Sequence, residues 1–85
     1  MRSDIALEVK QFIVDKFLFG QGGDTLSGTD SFLARGIIDS TGVLELVAFL
    51  EDRYKIQIDD LELLPENLDS IDRVAAFVET KRGGA

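Results

Sequence analysis

Residues 39–54 read DSTGVLELVAFLEDRY, and this stretch decides the fold. Val43, Leu46, Val47, Leu50 and Tyr54 recur at intervals of three and four, which places them on one face of a helix. Asp39 or Ser40 can cap its start, because a short polar side chain satisfies the free N–H groups of the first turn. Outward toward the N-terminus, Ile5, Val9, Phe12, Ile13 and Phe17 keep the same spacing and predict a first amphipathic helix over residues 4–18. Gly20, Gly22 and Gly23 stop it, and the stretch to Ile38, rich in Gly, Ser, Thr and Asp, reads as a long loop. Loops of that length tend either to be functional or to pack by their own side chains, and Phe32, Leu33, Ile37 and Ile38 are the expected anchors.

Outward toward the C-terminus, Lys55-Ile56-Gln57-Ile58 alternates like a strand, but nothing exists for it to pair with, so an extended connection is predicted. A short helical turn is expected over residues 59–64 and is ended by Pro65, because the residue before a proline is pushed out of helical geometry. Asp69-Ser70 then caps a last helix whose apolar face carries Ile71, Val74, Ala75 and Val78. The tail, residues 82–85, is expected to fray. The reading is all-α: one domain over residues 1–85, a small bundle of three main amphipathic helices plus one short helix around an aliphatic and phenylalanine core.

Composition narrows the function. Apolar residues make up 45% of the 85 and charged residues 29%, which fits a chain that folds by itself and excludes a disordered acidic tail. Sixteen acidic against nine basic side chains give a net charge of −7, which repels nucleic-acid phosphates and anionic membranes and favours basic protein partners. The N-terminus carries acids where a signal peptide needs an apolar core, and apolar runs such as residues 74–78 are too short to cross a bilayer. With no Cys there is nothing to suggest an oxidising compartment, so a cytoplasmic location and no membrane insertion are expected.

The same absences argue against catalysis. There is no His, the commonest general base and metal ligand, and no Cys nucleophile. Asp59, Asp60, Glu62 and Glu66 lack the spacing and glycine of a calcium-binding loop, and Gly20-Gln21-Gly22-Gly23 lacks the Lys-Ser/Thr of a phosphate-cradling loop. No catalytic or metal-ligating set is expected, and the chain reads as a non-enzyme.

Two Asp-Ser pairs open helices, Asp39-Ser40 and Asp69-Ser70. Each has a structural explanation as a cap, and each serine stands where free amides and the helix dipole would favour an anionic diester. Local chemistry leaves the choice between them open. No nearby residue can activate either hydroxyl, so any covalent modification has to come from another enzyme.

Gly36-Ile37-Ile38-Asp39-Ser40 resembles the phosphopantetheine attachment motif of acyl carrier proteins, in which a Gly and two aliphatics precede Asp-Ser. The resemblance runs on through Asp30-Ser31-Phe32-Leu33, Glu45-Leu46-Val47, Phe49-Leu50-Glu51, Tyr54-Lys55-Ile56 and Pro65-Glu66-Asn67-Leu68 to Ile71, in family order over nearly the whole chain. It implies that Ser40, preceded by Asp39, accepts 4'-phosphopantetheine from coenzyme A through a phosphopantetheinyl transferase. The arm's thiol then carries acyl groups between partner enzymes, in fatty-acid-related lipid metabolism or specialised acyl biosynthesis, and the bundle can shelter the chain between helices. It further implies a partner-facing surface of Thr41, Leu44, Glu45, Ala48, Glu51 and Asp52 that meets basic docking patches on an acyltransferase or loading ligase, and a monomeric carrier.

The chain departs from the family pattern at Thr41-Gly42, where Leu and a polar residue are usual after the serine, at Arg35, often acidic, and at Ala48, where fatty-acid carriers commonly have a larger apolar contact. Gly42 costs about 1 kcal/mol of helix propensity relative to Ala, and close approach of the arm or a partner is its expected reason. An aminoacyl carrier loaded by an adenylating ligase fits the residues as well. A third reading is an unmodified acidic interaction module, in which Ser40 only caps a helix.

Overall fold

The structure, a computed structural model, describes residues 2–20 and 26–83. Helix α1 spans Arg2–Phe17, α2 Ser40–Tyr54, α3 Pro65–Leu68 and α4 Ile71–Gly83, with a 3-10 turn at Asp60–Glu62 and no strand among the described residues. The periodicity accounts for the packing. Ile5, Val9 and Ile13 of α1, Leu46 and Leu50 of α2, and Ile71, Val74, Ala75 and Val78 of α4 are all buried in one core. α1 lies along α4, α3 packs against the start of α4, and α2 closes the bundle mainly through side chains.

The α1 stop falls at Phe19 and Gly20, both at positive φ, where glycine carries no steric penalty; Gly22 and Gly23 lie outside the described residues. The loop is held by its ends and by one acid. Asp69 accepts from Ser31 Oγ, and at 2.9 Å from the N–H of Leu33, while its own carbonyl accepts from Phe32 N at 2.8 Å. Asp72 N donates to Gly28 O at 2.9 Å, so the loop is tied to the start of α4 at two points. Phe32 and Ile38 are buried as expected, and Ile37 packs against the core. Leu33 is not an anchor: it is 52% exposed, because its backbone, not its side chain, makes the attachment to Asp69. Leu26 supplies the missing apolar contact at 3% exposure.

Beyond α2, Lys55 takes the left-handed conformation that ends the helix, and residues 56–59 form no regular element, with Asp59 extended. The expected helical turn shrinks to the 3-10 turn. Pro65, expected as a terminator, begins α3 instead: its missing N–H costs nothing at the first helical position, and its φ is preset for the helix. At the far end α4 continues through Arg82 and Gly83, with the Arg82 guanidinium 5.6 Å from the centre of the Tyr54 ring, so these two residues are helical and not frayed; residues 84–85 lie outside the described part.

The C-terminal end of α2 is pinned to α1 by a small polar cluster. Tyr54 Oη donates to Glu8 Oε1 at 2.6 Å, and Arg53 donates to Glu8 Oε2 at 2.5 Å. The Tyr54 bond, aided by Arg53, holds the Glu8 carboxyl below the usual carboxylate range. Burial, then the bond to Glu8 and its charge, push the Tyr54 phenol well above the usual tyrosine range. The signs follow. The Tyr54 contribution to stability is complete below about pH 10 and is lost as pH rises through the raised value; that of Glu8 is present above about pH 4 and is lost as pH falls through its depressed value.

The chain has one Tyr and no Trp, so phenolate absorbance near 295 nm reports on Tyr54 alone. Its titration midpoint is expected above that of the urea-unfolded chain, and Glu8→Gln should lower it without bringing it down to the unfolded value, because burial persists. Coincident folded and unfolded titrations would contradict the cluster.

Candidate functional site

The two Asp-Ser pairs, alike in sequence, are used differently. At the start of α4, Ser70 is the capping residue: it is 4% exposed, and its Oγ accepts from Arg73 N at 3.1 Å. At the start of α2 the cap is Asp39, extended at φ −99°, whose Oδ1 accepts from Gly42 N at 2.7 Å. Ser40 therefore sits one position deeper, as the first residue of the helix. It is exposed, and its hydroxyl makes no hydrogen bond to any described residue. A free hydroxyl on the first turn of a 15-residue helix faces the unpaired amides and positive dipole end that favour an anionic diester.

The chain has no His, and the adjacent Asp39 carboxylate is engaged through Oδ1 with Gly42 N. Beside Ser40 opens a cavity of about 270 Å³, lined by that serine with Val43 and Leu44 on α2 and by Leu63, Leu64 and Leu68 across from them. Asp69 reaches its wall with both carboxylate oxygens already bonded, leaving Ser40 as the polar group at hand. Leu63, Leu64 and Leu68 were not foreseen as site residues; their local signal is that an acid-rich stretch carries leucines on both sides of Pro65.

The expected partner-facing residues separate into two kinds. Thr41, Leu44 and Ala48 share one stripe of α2 and are exposed, Leu44 at 58%. Glu45 is half exposed with its carboxylate 3.8 Å from Lys16 Nζ, and Asp52 projects at 90% side-chain exposure, 4.0 Å from Lys55 Nζ. Glu51 does not present a free charge: it is half-buried, and Oε2 accepts from Ile58 N at 2.9 Å, which holds the chain leaving α2. Arg35 pairs with Asp30 at 2.8 Å.

Gly42 has a reason inside the fold. A Cβ there would stand 2.9 Å from Phe17 Cε1 and 3.1 Å from Ile38 Cγ2, so the glycine lets the end of α1 lie against the first turn of α2. The close approach expected for the arm or a partner is made by Phe17.

No protein-family model matches the chain. Among solved structures it is similar to KstB-PCP in its apo form, a peptidyl carrier protein domain, at 35% sequence identity, with 93% of this chain and 87% of that chain covered and a TM-score of 0.76.

Two expectations test the local assignment. Ser70→Ala should cost about 1 kcal/mol of folding stability by chemical denaturation, whereas Ser40→Ala should stay within about 0.5 kcal/mol, because only Ser70 caps. Gly42→Ala should be a net loss of about 1 kcal/mol: overpacking of about 1–3 kcal/mol exceeds the gain of about 1 kcal/mol in helix propensity. A stabilised Gly42→Ala protein would show that the Phe17 ring yields freely.

Proposed function

We propose, for a chain that belongs to the phosphopantetheine carrier protein family, that Ser40 Oγ is the attachment point of a 4'-phosphopantetheine arm on which biosynthetic intermediates are carried between enzymes. A carrier of this kind is not itself a catalyst. The observation that carries the assignment is the position of the serine: exposed, unbonded and first in α2, where Ser70 is buried and committed as a cap.

The residues present fit the arm. Ser40 Oγ supplies the ester oxygen, the first-turn amides and helix dipole favour the diester's negative charge, and the apolar cavity beside Ser40 can take an apolar portion of what is carried. When attached, the arm supplies a thiol that holds the cargo as a thioester on a flexible tether. Asp39 holds the first turn in place through Gly42 N, and Phe17 backs it from α1. The Ser40 hydroxyl is bonded to no described side chain, so its activation falls to a phosphopantetheinyl transferase that takes the arm from coenzyme A.

The cargo has two supported readings. The apolar cavity favours an acyl group and thus acyl biosynthesis served by an acyltransferase. The peptidyl carrier neighbour favours an aminoacyl group loaded by an adenylating ligase. No described helix is long and apolar enough to cross a membrane, and the net charge of −7 supports basic protein partners over nucleic acid.

Intact-protein mass spectrometry after incubation with coenzyme A and a broad-specificity transferase is expected to show one arm on the native chain and on Ser70→Ala, and none on Ser40→Ala. No adduct on the native chain, with a control carrier modified in parallel, would leave the unmodified interaction module as the reading. Malonyl transfer or ATP-dependent aminoacyl loading of the arm-bearing chain then separates the two cargo classes.

A further inference from the structure

The end of the bundle far from Ser40 carries a charge pattern of its own. Four other openings on the described surface each have a carboxylate in the wall, Asp69, Asp15, Asp72 and Glu45 in turn. The groove where the end of α2 meets the end of α4 has none: Tyr54, Lys55, Ile56, Gln57, Lys81 and Arg82 line it. Three cations thus share one wall in a chain of sixteen acids and nine bases. Cations at the carbonyl ends of α2 and α4 answer the helix dipoles. The dipoles do not require a wall free of carboxylates in a chain of net charge −7.

Two of these cations are available. Lys81 donates to both carboxylate oxygens of Glu62, at 2.9 and 3.2 Å, and is committed. Arg82 makes no ion pair with a described residue; its guanidinium lies 5.6 Å from the centre of the Tyr54 ring, which steadies it and leaves N–H groups for a carboxylate. Lys55 Nζ stands 4.0 Å from Asp52 with the two side chains 82% and 90% exposed, a pairing that yields readily to a better partner. Exposed Gln57 adds a carboxamide, and the half-buried Tyr54 and Ile56 add apolar surface.

We propose that this groove binds a short acidic segment of a partner protein, its carboxylates held by Arg82 and Lys55. Charge selects the occupant. A nucleic acid or an anionic membrane would set a dense array of negative charge against an acidic chain and be repelled, whereas a short segment brings one or two carboxylates to the groove alone. Ser40 opens α2 and Tyr54 closes it, about 20 Å away at about 1.5 Å per residue, so a partner held here leaves Ser40 free. The inference does not depend on what Ser40 carries.

The probe is a tetraglutamate peptide blocked at both ends, added to the full chain at low salt while backbone amide NMR shifts are followed. Saturable shifts are expected at residues 55–57 and 82 with a Kd of about 1 mM, and none with the matching tetraglutamine peptide. Arg82→Gln and Lys55→Gln should each weaken binding roughly tenfold. Lys10→Gln, which removes the same charge outside the groove, should leave Kd within about twofold. Arg82 and Lys55 are exposed, and unchanged thermal melting confirms that the variants fold. A phosphopantetheinyl transferase should modify Ser40 equally with and without the peptide.

No saturable shift with the peptide would leave the cations to the helix dipoles, and equal weakening in Lys10→Gln would reduce the effect to net charge; either sinks the proposal. Inorganic phosphate matching the peptide's Kd at the same amides would make the groove a small-anion site. Binding of the chain to vesicles containing phosphatidylserine, abolished by Arg82→Gln, would make it a membrane contact. Both outcomes overturn the acidic segment, and so would a peptide that blocks modification of Ser40, since it would be bound at the wrong end of α2. Failure of the carrier reading shows separately, as a native chain that receives no arm in the mass spectrum, and leaves the groove untouched.

Discussion

A single hydrogen bond decides what the molecule can present: the carboxylate of Asp39 caps α2 by accepting from Gly42 N at 2.7 Å. Because the acid does this work, the serine beside it does not have to, and Ser40 enters the first turn with its hydroxyl unused. Had Ser40 capped the helix, its Oγ would have been occupied and turned toward the backbone. The cap in turn depends on how the chain arrives at residue 39. Ile37 N donates to Phe32 O at 2.9 Å, Phe32 and Ile38 are buried, and the turn between them passes through Gly36 at positive φ. Phe32 is itself tied by its N–H to Asp69 O. The free serine is thus the end point of a chain of contacts that begins at the junction of α3 and α4.

The same junction explains why two identical dipeptides behave differently. Asp69 is a possible cap for α4, but its carboxylate is drawn across to Ser31 Oγ and Leu33 N, residues more than thirty positions away. With the acid committed, the free amides of α4 turn to the next residue, and Ser70 accepts from Arg73 N. Nothing competes for Asp39 in this way among the described residues. A difference of one residue in the capping position, set by a long-range contact, leaves one serine buried and structural and the other exposed.

This is the part of the site that local sequence chemistry could not reach. The three long helices were legible because their apolar spacing and polar openings are local signals, and the buried faces of α1, α2 and α4 lie where the period of the sequence puts them. The Asp-Ser choice depended on where Asp69 points, so only the resemblance at residues 36–40 separated Ser40 from Ser70 before the fold was known. Gly42 was visible as an anomaly in a helix, but its cause, the Phe17 ring, comes from a different helix. Pro65 carried two local meanings, the end of one element and the start of another, and the fold uses the second. Leu33 and Leu26 exchanged roles for a related reason: apolar type alone does not say whether a loop residue attaches by its side chain or by its backbone.

A carrier has to satisfy opposite demands within 85 residues: a rigid base, so that the tethered group is presented at a defined place, and a mobile arm, so that it reaches several enzymes. On the proposed attachment at Ser40, these fall to the helix end and to the arm it would carry. Rigidity at the base comes from three sides, the Asp39 cap within α2, the Phe17 ring from α1 and the buried Ile38 from the loop. Motion would then belong to the arm, whose length and stiffness would set the effective concentration of the cargo. The absence of His and Cys fits this division: a carrier whose own side chains included a strong base or nucleophile beside the thioester would put its cargo at risk of hydrolysis or transfer. The cavity of about 270 Å³ beside Ser40 is compatible with that division, since its wall offers leucine and valine and an aspartate whose oxygens are already bonded.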